Sequence, residues 1–313
     1  MVGTFEIFTE ANSYSKRNGK GVEYTIQTAG VSKKVDFSTG MITVQPDIHI
    51  TEIKKTDLII VPPSGIRNDT DVLNGNKTMI SWIEKQYKLG AEVASMCSGI
   101  FMLASAGVLN GKTCSTHWAH AQTFRNAFPN VNLKEEKLIT DESGIYTNGG
   151  AYSFLNLVIY LVEKYYDKQT AIYCSKMFQV DIERYSQSSF TIFSGQKKHN
   201  DDDILKAQSY IEKNYPDKIS IEFLSNKFSI GRRNFDRRFI KATGITPLDY
   251  LQRVKIEAAK KSLENTRKTV NEVMYEVGYN DTKAFREVFN RVTGMSPIDY
   301  KSKYNHEYLT KNL

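Results

Sequence analysis

Two clusters of side chains in this sequence are of types that do chemistry. The first is Arg232, Arg233, Asp236 and Arg237, with Arg238 beside them: five charged residues, four of them arginine, within seven positions. A guanidinium can hydrogen-bond two acceptors on a guanine edge and can also clamp a phosphate, so such a face suits DNA. A solvated face on a helical hairpin is the plainer reading of the same residues. The second is Cys97, which follows Ala91-Glu-Val-Ala-Ser-Met96 and precedes Ser98-Gly-Ile-Phe-Met-Leu-Ala104, with His117 twenty residues on. A thiol at a sharp strand-to-helix turn lies near a helix N-terminus, which lowers its pKa and makes it a candidate nucleophile. A ligand-pocket residue and an inert cysteine buried at a tight turn are the alternatives, and the residues leave all three open. Cys114, His117 and His120 lie three apart and have the look of metal ligands. No Asp or Glu flanks them, so neither a metal nor a cofactor is expected.

The arginine cluster sits inside an internal repeat. Phe235, Phe239, Gly244, Pro247 and Tyr250 recur as Phe285, Phe289, Gly294, Pro297 and Tyr300, each at an offset of 50. The text between matches as well, IKATGITPLDY against NRVTGMSPIDY, so the duplication is real. Each copy reads as helix, tight turn, helix. In the first, Ile221–Phe228 is followed by Ser229-Ile230-Gly231 and then by Arg232–Lys241, with Phe235 and Phe239 on one face at i and i+4. In the second, Val270–Val277 leads through Gly278-Tyr279-Asn280-Asp281 into Thr282–Arg291, with Asn280 or Asp281 placed to cap. Gly244 and Gly294 suit helix C-caps, and Pro247 and Pro297 suit the first turn of the next helix. That is helix-turn-helix grammar, twice over. The helix from Pro247 to Leu263 is about 25 Å long at 1.5 Å per residue. A spacer of that size sets two recognition helices in successive major grooves, about 34 Å apart.

Charge agrees with this placement. Of 42 Lys+Arg and 35 Asp+Glu, 21 and 16 lie from Asp201 onward, so most of the +7 excess is in the last third. The 313 residues, 40% hydrophobic and 25% charged, fit a globular chain of two domains. The longest apolar run, near Leu58–Val61, is far short of the roughly 18 residues of a membrane span. The N-terminus carries no basic segment followed by an apolar core, so no signal peptide is read. Three cysteines without such a signal imply free thiols in a cytoplasmic setting, with no membrane partner.

The elements that must position Cys97 alternate strand and helix. Tyr24–Ala29, Asp57–Val61, Ala91–Met96 and Ile145–Thr147 read as strands; Lys77–Tyr87, Ser98–Ala106, Ala119–Phe128 and Ala151–Tyr166 read as helices. The pattern predicts an α/β flavodoxin-like parallel-sheet sandwich, followed by an all-α double helix-turn-helix domain. Pocket walls then come from loops at the carboxyl ends of the strands: Gly65, Cys97, Ser98, His117, Trp118, Gly149 and Gly150. Gln187–Asp203 reads as a last strand and a linker, giving domains at 1–195 and 204–313 with a linker at 196–203. Asp201–Asp203 suit the start of a helix near Ile204.

Residues from about Ile204 to Tyr304 resemble the AraC/XylS family of bacterial transcription regulators, most strongly over VNEVMYEVGYNDTKAFREVFNRVTGMSPIDYKSKY. The resemblance implies seven helices with bases read by Arg233, Asp236 and Arg237 in the first unit. In the second unit it implies Lys283, Ala284 and Glu287, with Arg286 near phosphate. Gly231 stands where that family often has Ser, which removes a side-chain cap. Glu287 stands where Arg is common, which weakens the second unit or changes the bases it reads.

The stretch CSGIFMLASAGVLNGKTCSTHW resembles the class I glutamine amidotransferase-like superfamily. Within it, the chain is similar to PfpI-type proteases and the parkinsonism-associated deglycase, and more narrowly to the sensor domain fused to AraC-type modules. Cys97 and His117 match that superfamily's Cys and His. The acidic partner does not: the chain opens on GTFEIFTEAN, which looks like the helix after the first strand, and Glu6 is not at the matching position. The first strand is expected to be absent. Together these point to a regulator whose N-terminal domain binds a small metabolite, with an amino acid or amine as the class the resemblance implies. Promoter DNA, a second copy through the N-terminal domain and RNA polymerase are the expected partners. The alternative is a Cys-dependent hydrolase or deglycase carrying a DNA-binding tail.

Overall fold

The computed structural model describes residues 1–37, 40–63, 75–182 and 184–305. Gly65, expected in a pocket loop, lies outside the described residues. The chain divides into two units, Met1–Gln187 and Ser188–Leu313.

The first unit runs α1 (Val2–Arg17), β1 (Ala29–Gly30), β2 (Val35–Phe37), β3 (Ile42–Val44), β4 (Ile48–His49), β5 (Leu58–Val61), α2 (Lys77–Lys88), β6 (Glu92–Met96), α3 (Ile100–Ser105), β7 (Thr113–Cys114), α4 (Ala121–Ala127), β8 (Asn132–Leu133), β9 (Ile139–Glu142), β10 (Ile145–Asn148), α5 (Phe154–Tyr165) and α6 (Lys168–Met177). The main sheet has the order β5-β6-β10-β9. β5, β6 and β10 are parallel, and β9 closes on β10 as an antiparallel hairpin. Alternation along the strands builds two cores. Ile59, Val61, Val93 and Ile145 face one, with Ile83 of α2, Ile100 to Ala104 of α3 and Phe124 of α4. Ala94, Met96 and Tyr146 face the other, with Ile7, Phe8 and Ala11 of α1 and Leu157 to Val162 of α5. This is a flavodoxin-like sandwich, helices on both faces of a mostly parallel sheet.

Two expected strands are not there. Residues 21–28 join no ladder; strand pairing begins only at Ala29–Gly30, against Ile48–His49. The alternation that suggested a strand is genuine, but Tyr24 exchanges its backbone bonds with the Asn12 side chain of α1, at 2.8 Å each way. The segment after Gln187 is also not a strand of the first unit. Ser188–Phe190 is a single 3-10 turn and Phe193 packs into the first core of the second unit.

The second unit holds α7 (Asp202–Asn214), α8 (Ile221–Lys227), α9 (Arg232–Thr243), α10 (Pro247–Asn265), α11 (Val270–Glu276), α12 (Thr282–Thr293) and α13 (Pro297–Tyr304). Each repeat buries its own core. Phe235, Phe239 and Tyr250 lie in one and Phe285, Phe289 and Tyr300 in the other. The 19-residue α10 contributes to both. The punctuation is as the repeat requires. Gly244 and Gly294 end α9 and α12 in the left-handed conformation, and Thr246 and Ser296 cap the Pro-led helices that follow.

Candidate functional site

The exposed faces of α9 and α12 are fixed by the phenylalanines beneath them. With Phe235 and Phe239 buried, Arg232, Arg233 and Arg237 are left exposed and Asp236 half-buried; with Phe285 and Phe289 buried, Lys283, Ala284, Arg286 and Glu287 are exposed. The arginines are not equivalent. Arg232 pairs with Asp236 at 3.1 Å, and Arg237 donates to Asn234 Oδ1 at 3.0 Å. Among the described residues Arg233, Lys283 and Arg286 form no ion pair. Arg238 is taken up inside the unit: its guanidinium donates to both oxygens of Asp201, at 2.9 and 2.6 Å, and to Asp203 at 2.9 Å.

The turns that present these helices differ. Asp281 caps α12, accepting from Ala284 N at 2.8 Å, whereas Gly231 gives α9 no side-chain cap. A Cβ at Gly231 would meet nothing within 4 Å. Gly231→Ser should therefore supply the cap and stabilise the unit by a few tenths of a kcal/mol. Thermal melts of the two forms check this, and a lower melting temperature in the variant would count against it. In the second turn, Lys255 of α10 is buried and donates to Val277 O at 3.0 Å and Gly278 O at 3.2 Å. It thereby satisfies carbonyls that the end of α11 leaves without helical partners. Lys255 is a positioning residue that the sequence reading passed over, because a lysine in an amphipathic helix looks solvated.

The first unit gathers its candidate site at the carboxyl ends of β6 and β10. Cys97 leaves β6 at φ +52, the strained left-handed geometry of an elbow. Its carbonyl accepts from Thr116 Oγ1 at 3.1 Å. The thiol is buried, and loss of water pushes its pKa up against the lowering effect of the Ser98 backbone bond. The expected depression of that pKa is corrected here: the segment after Cys97 is a 3-10 turn, Cys97–Gly99, and burial outweighs what it supplies. His117 caps the next 3-10 turn, its Nδ1 accepting from Ala119 N at 3.1 Å. Burial, then His120, holds its pKa below the usual histidine value. With Nδ1 taken by the Ala119 N–H, Nε2 is the ring nitrogen left to meet another group. Among the described residues no carboxylate bonds to it.

Gln187 joins the other expected pocket residues and was not foreseen. Its buried side chain donates to Thr116 O at 2.7 Å and Glu135 O at 2.6 Å, and accepts from Trp118 N at 3.2 Å. It also lies where a Cβ on Gly149 would be, so the space this glycine leaves open is filled by the chain itself. Nothing in a polar run such as Gln187-Ser-Ser could have announced this. Asn148, beside Gly149, is fully buried, its Oδ1 without a hydrogen-bond partner among the described residues, and Ser98 is buried next to Cys97.

Residues 4–164, just over half the chain, match the DJ-1/PfpI family. The chain belongs to the DJ-1/PfpI family. Residues 224–303 match a helix-turn-helix domain family, the AraC-type module. Similar proteins share both parts. The HTH-type transcriptional regulator GbdR of Pseudomonas aeruginosa is 22% identical over 280 residues, covering 88% of this chain and 74% of its own. GlxA of Rhizobium meliloti, also an HTH-type transcriptional regulator, is 22% identical over 211 residues, covering 67% and 65%. A transcriptional-regulator structure from Vibrio parahaemolyticus superposes with a TM-score of 0.50 at 22% identity, covering 56% of this chain and 90% of that one; it speaks to the fold alone. An AraC-type module behind a DJ-1/PfpI domain makes this chain an AraC-family transcription regulator. Among the described residues no helix is long and apolar enough to cross a membrane.

Proposed function

We propose that this DJ-1/PfpI domain senses rather than catalyses: a small metabolite, an amino acid or amine by class, binds at the carboxyl ends of β6 and β10 and changes how α9 and α12 engage promoter DNA. The observation that carries this reading is an elbow kept without its machinery. Cys97 holds the strained φ of +52, yet its thiol pKa is raised and the imidazole of His117 has Nδ1 occupied. A nucleophile needs the opposite on both counts. Cys97, Ser98, His117, Trp118, Gly149 and Gly150 contact the ligand in this reading, with Gly65 completing the set. Gln187 is the group a ligand competes with for Thr116 and Trp118, and Ser188, next in the chain, opens the second unit. Coupling follows if the ligand binds the displaced state of Gln187 more tightly than the seated one. Arg232, Arg233, Asp236 and Arg237 of α9 and Lys283, Ala284, Arg286 and Glu287 of α12 form the DNA face. The regulator works in the cytoplasm, pairs through its first unit, and meets RNA polymerase at the promoter.

The test is a thermal-shift screen of amino acids and amines on the full chain, followed by operator binding with and without each hit. A ligand that raises the melting temperature and changes operator affinity supports the reading. Cys97→Ser should leave ligand-free operator affinity within about twofold of the parent, because the exchange nearly preserves side-chain size and Cys97 belongs to the first unit while the DNA face belongs to the second. In this reading neither the parent nor Cys97→Ser turns over an ester or a glycated substrate. Steady esterase or deglycase activity that disappears in Cys97→Ser would establish the hydrolase instead.

A further inference from the structure

The segment 188–203, which takes in the end of the first expected domain and the expected linker at 196–203, belongs to the second unit. Its start, Ser188–Phe190, lies against α12, the second recognition helix. Tyr304 of α13 donates to Ser189 O at 3.2 Å and meets the Phe190 ring edge-on. Thr191 O accepts from the buried Lys260 of α10 at 2.5 Å, and Lys260 is paired with Glu257 at 2.7 Å. The same Glu257 accepts from Phe193 N at 3.2 Å, and the Phe193 ring stands edge-on to Tyr250. Gly195, at φ +72, passes so close to Tyr250 Oη that any side chain there would collide with it. Gln196 O accepts from Gln208 of α7 at 3.0 Å. The segment ends at Asp201 and Asp203, held by Arg238 of α9, the first recognition helix.

We propose that residues 188–203 are a strap that fixes the two recognition helices relative to one another, with Arg238 as its anchor on α9 rather than a contact to DNA. The strap begins on α12, runs along the shared helix α10 and is clamped to α9. A chain that packs against α12 and is bonded to α13 at one end, and is bonded to α9 at the other, limits how far the two recognition helices can shift apart or turn. Arg238 is the one arginine of the cluster with three charge-assisted bonds to two carboxylates, a geometry that leaves little of its fork for a phosphate. Asp201 also caps α7, accepting from Ile204 N at 3.3 Å, so the clamp sits on a helix start and not on a free loop. The inference rests on α9 and α12 being the helices that read DNA.

The experiment uses the full-length chain and an operator selected by it from random duplex. A second duplex carries one extra base pair between the two segments read. The wild type should bind the spaced duplex at least tenfold more weakly. Arg238→Gln, the pair Asp201→Asn with Asp203→Asn, and Tyr304→Phe at the far end should each reduce that penalty severalfold. Asn keeps the capping oxygen of Asp201, so the double variant tests the clamp without removing the cap. The salt slope of binding should be unchanged in Arg238→Gln. The proposal is overturned if the spacing penalty is unaltered in these variants, or if Arg238→Gln lowers the salt slope by about one, the mark of a lost phosphate contact. A wild type indifferent to the insertion overturns the two-helix reading beneath the proposal and the proposal with it. Loss of affinity in Arg233→Ala with no change in spacing tolerance separates the two, since it touches the reading face and not the strap.

Discussion

Gly278→Ala should unfold the second helix-turn-helix locally and lower operator affinity by about two orders of magnitude. Gly278 holds φ +77 at the turn between α11 and α12. An alanine in that region costs about 1 kcal/mol from backbone sterics alone. Space adds more. A Cβ would collide with the backbone carbonyl of Pro216 and stand 2.8 Å from Lys255 Nζ. Backbone on one side and a buried ammonium on the other give the methyl no flexible neighbour to displace. If the turn shifts instead, Lys255 loses Val277 O and Gly278 O, and a buried charged donor left unpaired costs roughly 1.5–3 kcal/mol. The sum is about 3 kcal/mol or more, concentrated where α12 is presented. The first repeat supplies the control. Ser229 occupies the corresponding turn at φ +53, following α8 as Gly278 follows α11. A side chain is accommodated there, so Ser229→Ala should leave melting and binding within experimental error. Urea denaturation and operator titration of both variants decide it. A Gly278→Ala chain that melts and binds like the parent would show that the turn is held by something other than this packing.

The contrast between these two turns marks how far the sequence could be read. The repeat revealed itself through positions whose physics is local: phenylalanines at i and i+4, glycine where only a left-handed residue ends the helix, proline where a missing N–H does no harm. The parallel strands were legible because alternate residues face separate cores, and Val93 against Ala94 is enough to see it. What stayed hidden depends on distant partners. Nothing near Arg238 in sequence says that Asp201 and Asp203 will claim it. Tyr24–Ala29 alternates like a strand, yet its bonding partner is an asparagine side chain on α1. Phe190 and Ile192 alternate too, but their segment is bound to the second unit. At the candidate sensor site the Cys97 elbow was legible and its chemistry was not. Whether burial or a helix end governs a thiol is settled by packing density, which no spacing encodes.

Removing Arg233 or Arg237 should weaken operator binding by about 1–3 kcal/mol each and relax preference at one base, as loss of a bidentate contact does. Lys283→Ala should cost less. The two helices differ in the charge they have free. In α9, Arg238 is clamped and Arg232 is paired with Asp236, which leaves Arg233 and Arg237, the latter bonded only to the neutral Asn234 among the described residues, as the exposed cations without a carboxylate partner. In α12, Lys283 and Arg286 form no ion pair among the described residues, but Glu287 is exposed on the same helix and would repel backbone phosphates. α9 should therefore supply most of the affinity, and α12 should add discrimination at lower energy. Glu287→Ala separates the two contributions. Affinity for unrelated DNA should rise slightly as repulsion disappears, while preference at one base pair falls, because a carboxylate accepts from cytosine N4. Arg286→Ala, at a phosphate, should weaken all sequences alike and reduce the salt slope by about one. Fluorescence anisotropy across a salt series, with single-base variants of the operator, measures every one of these quantities. If Arg233→Ala and Arg237→Ala bind as the parent does while Lys283→Ala abolishes binding, α12 is the dominant helix and free charge is not what ranks them.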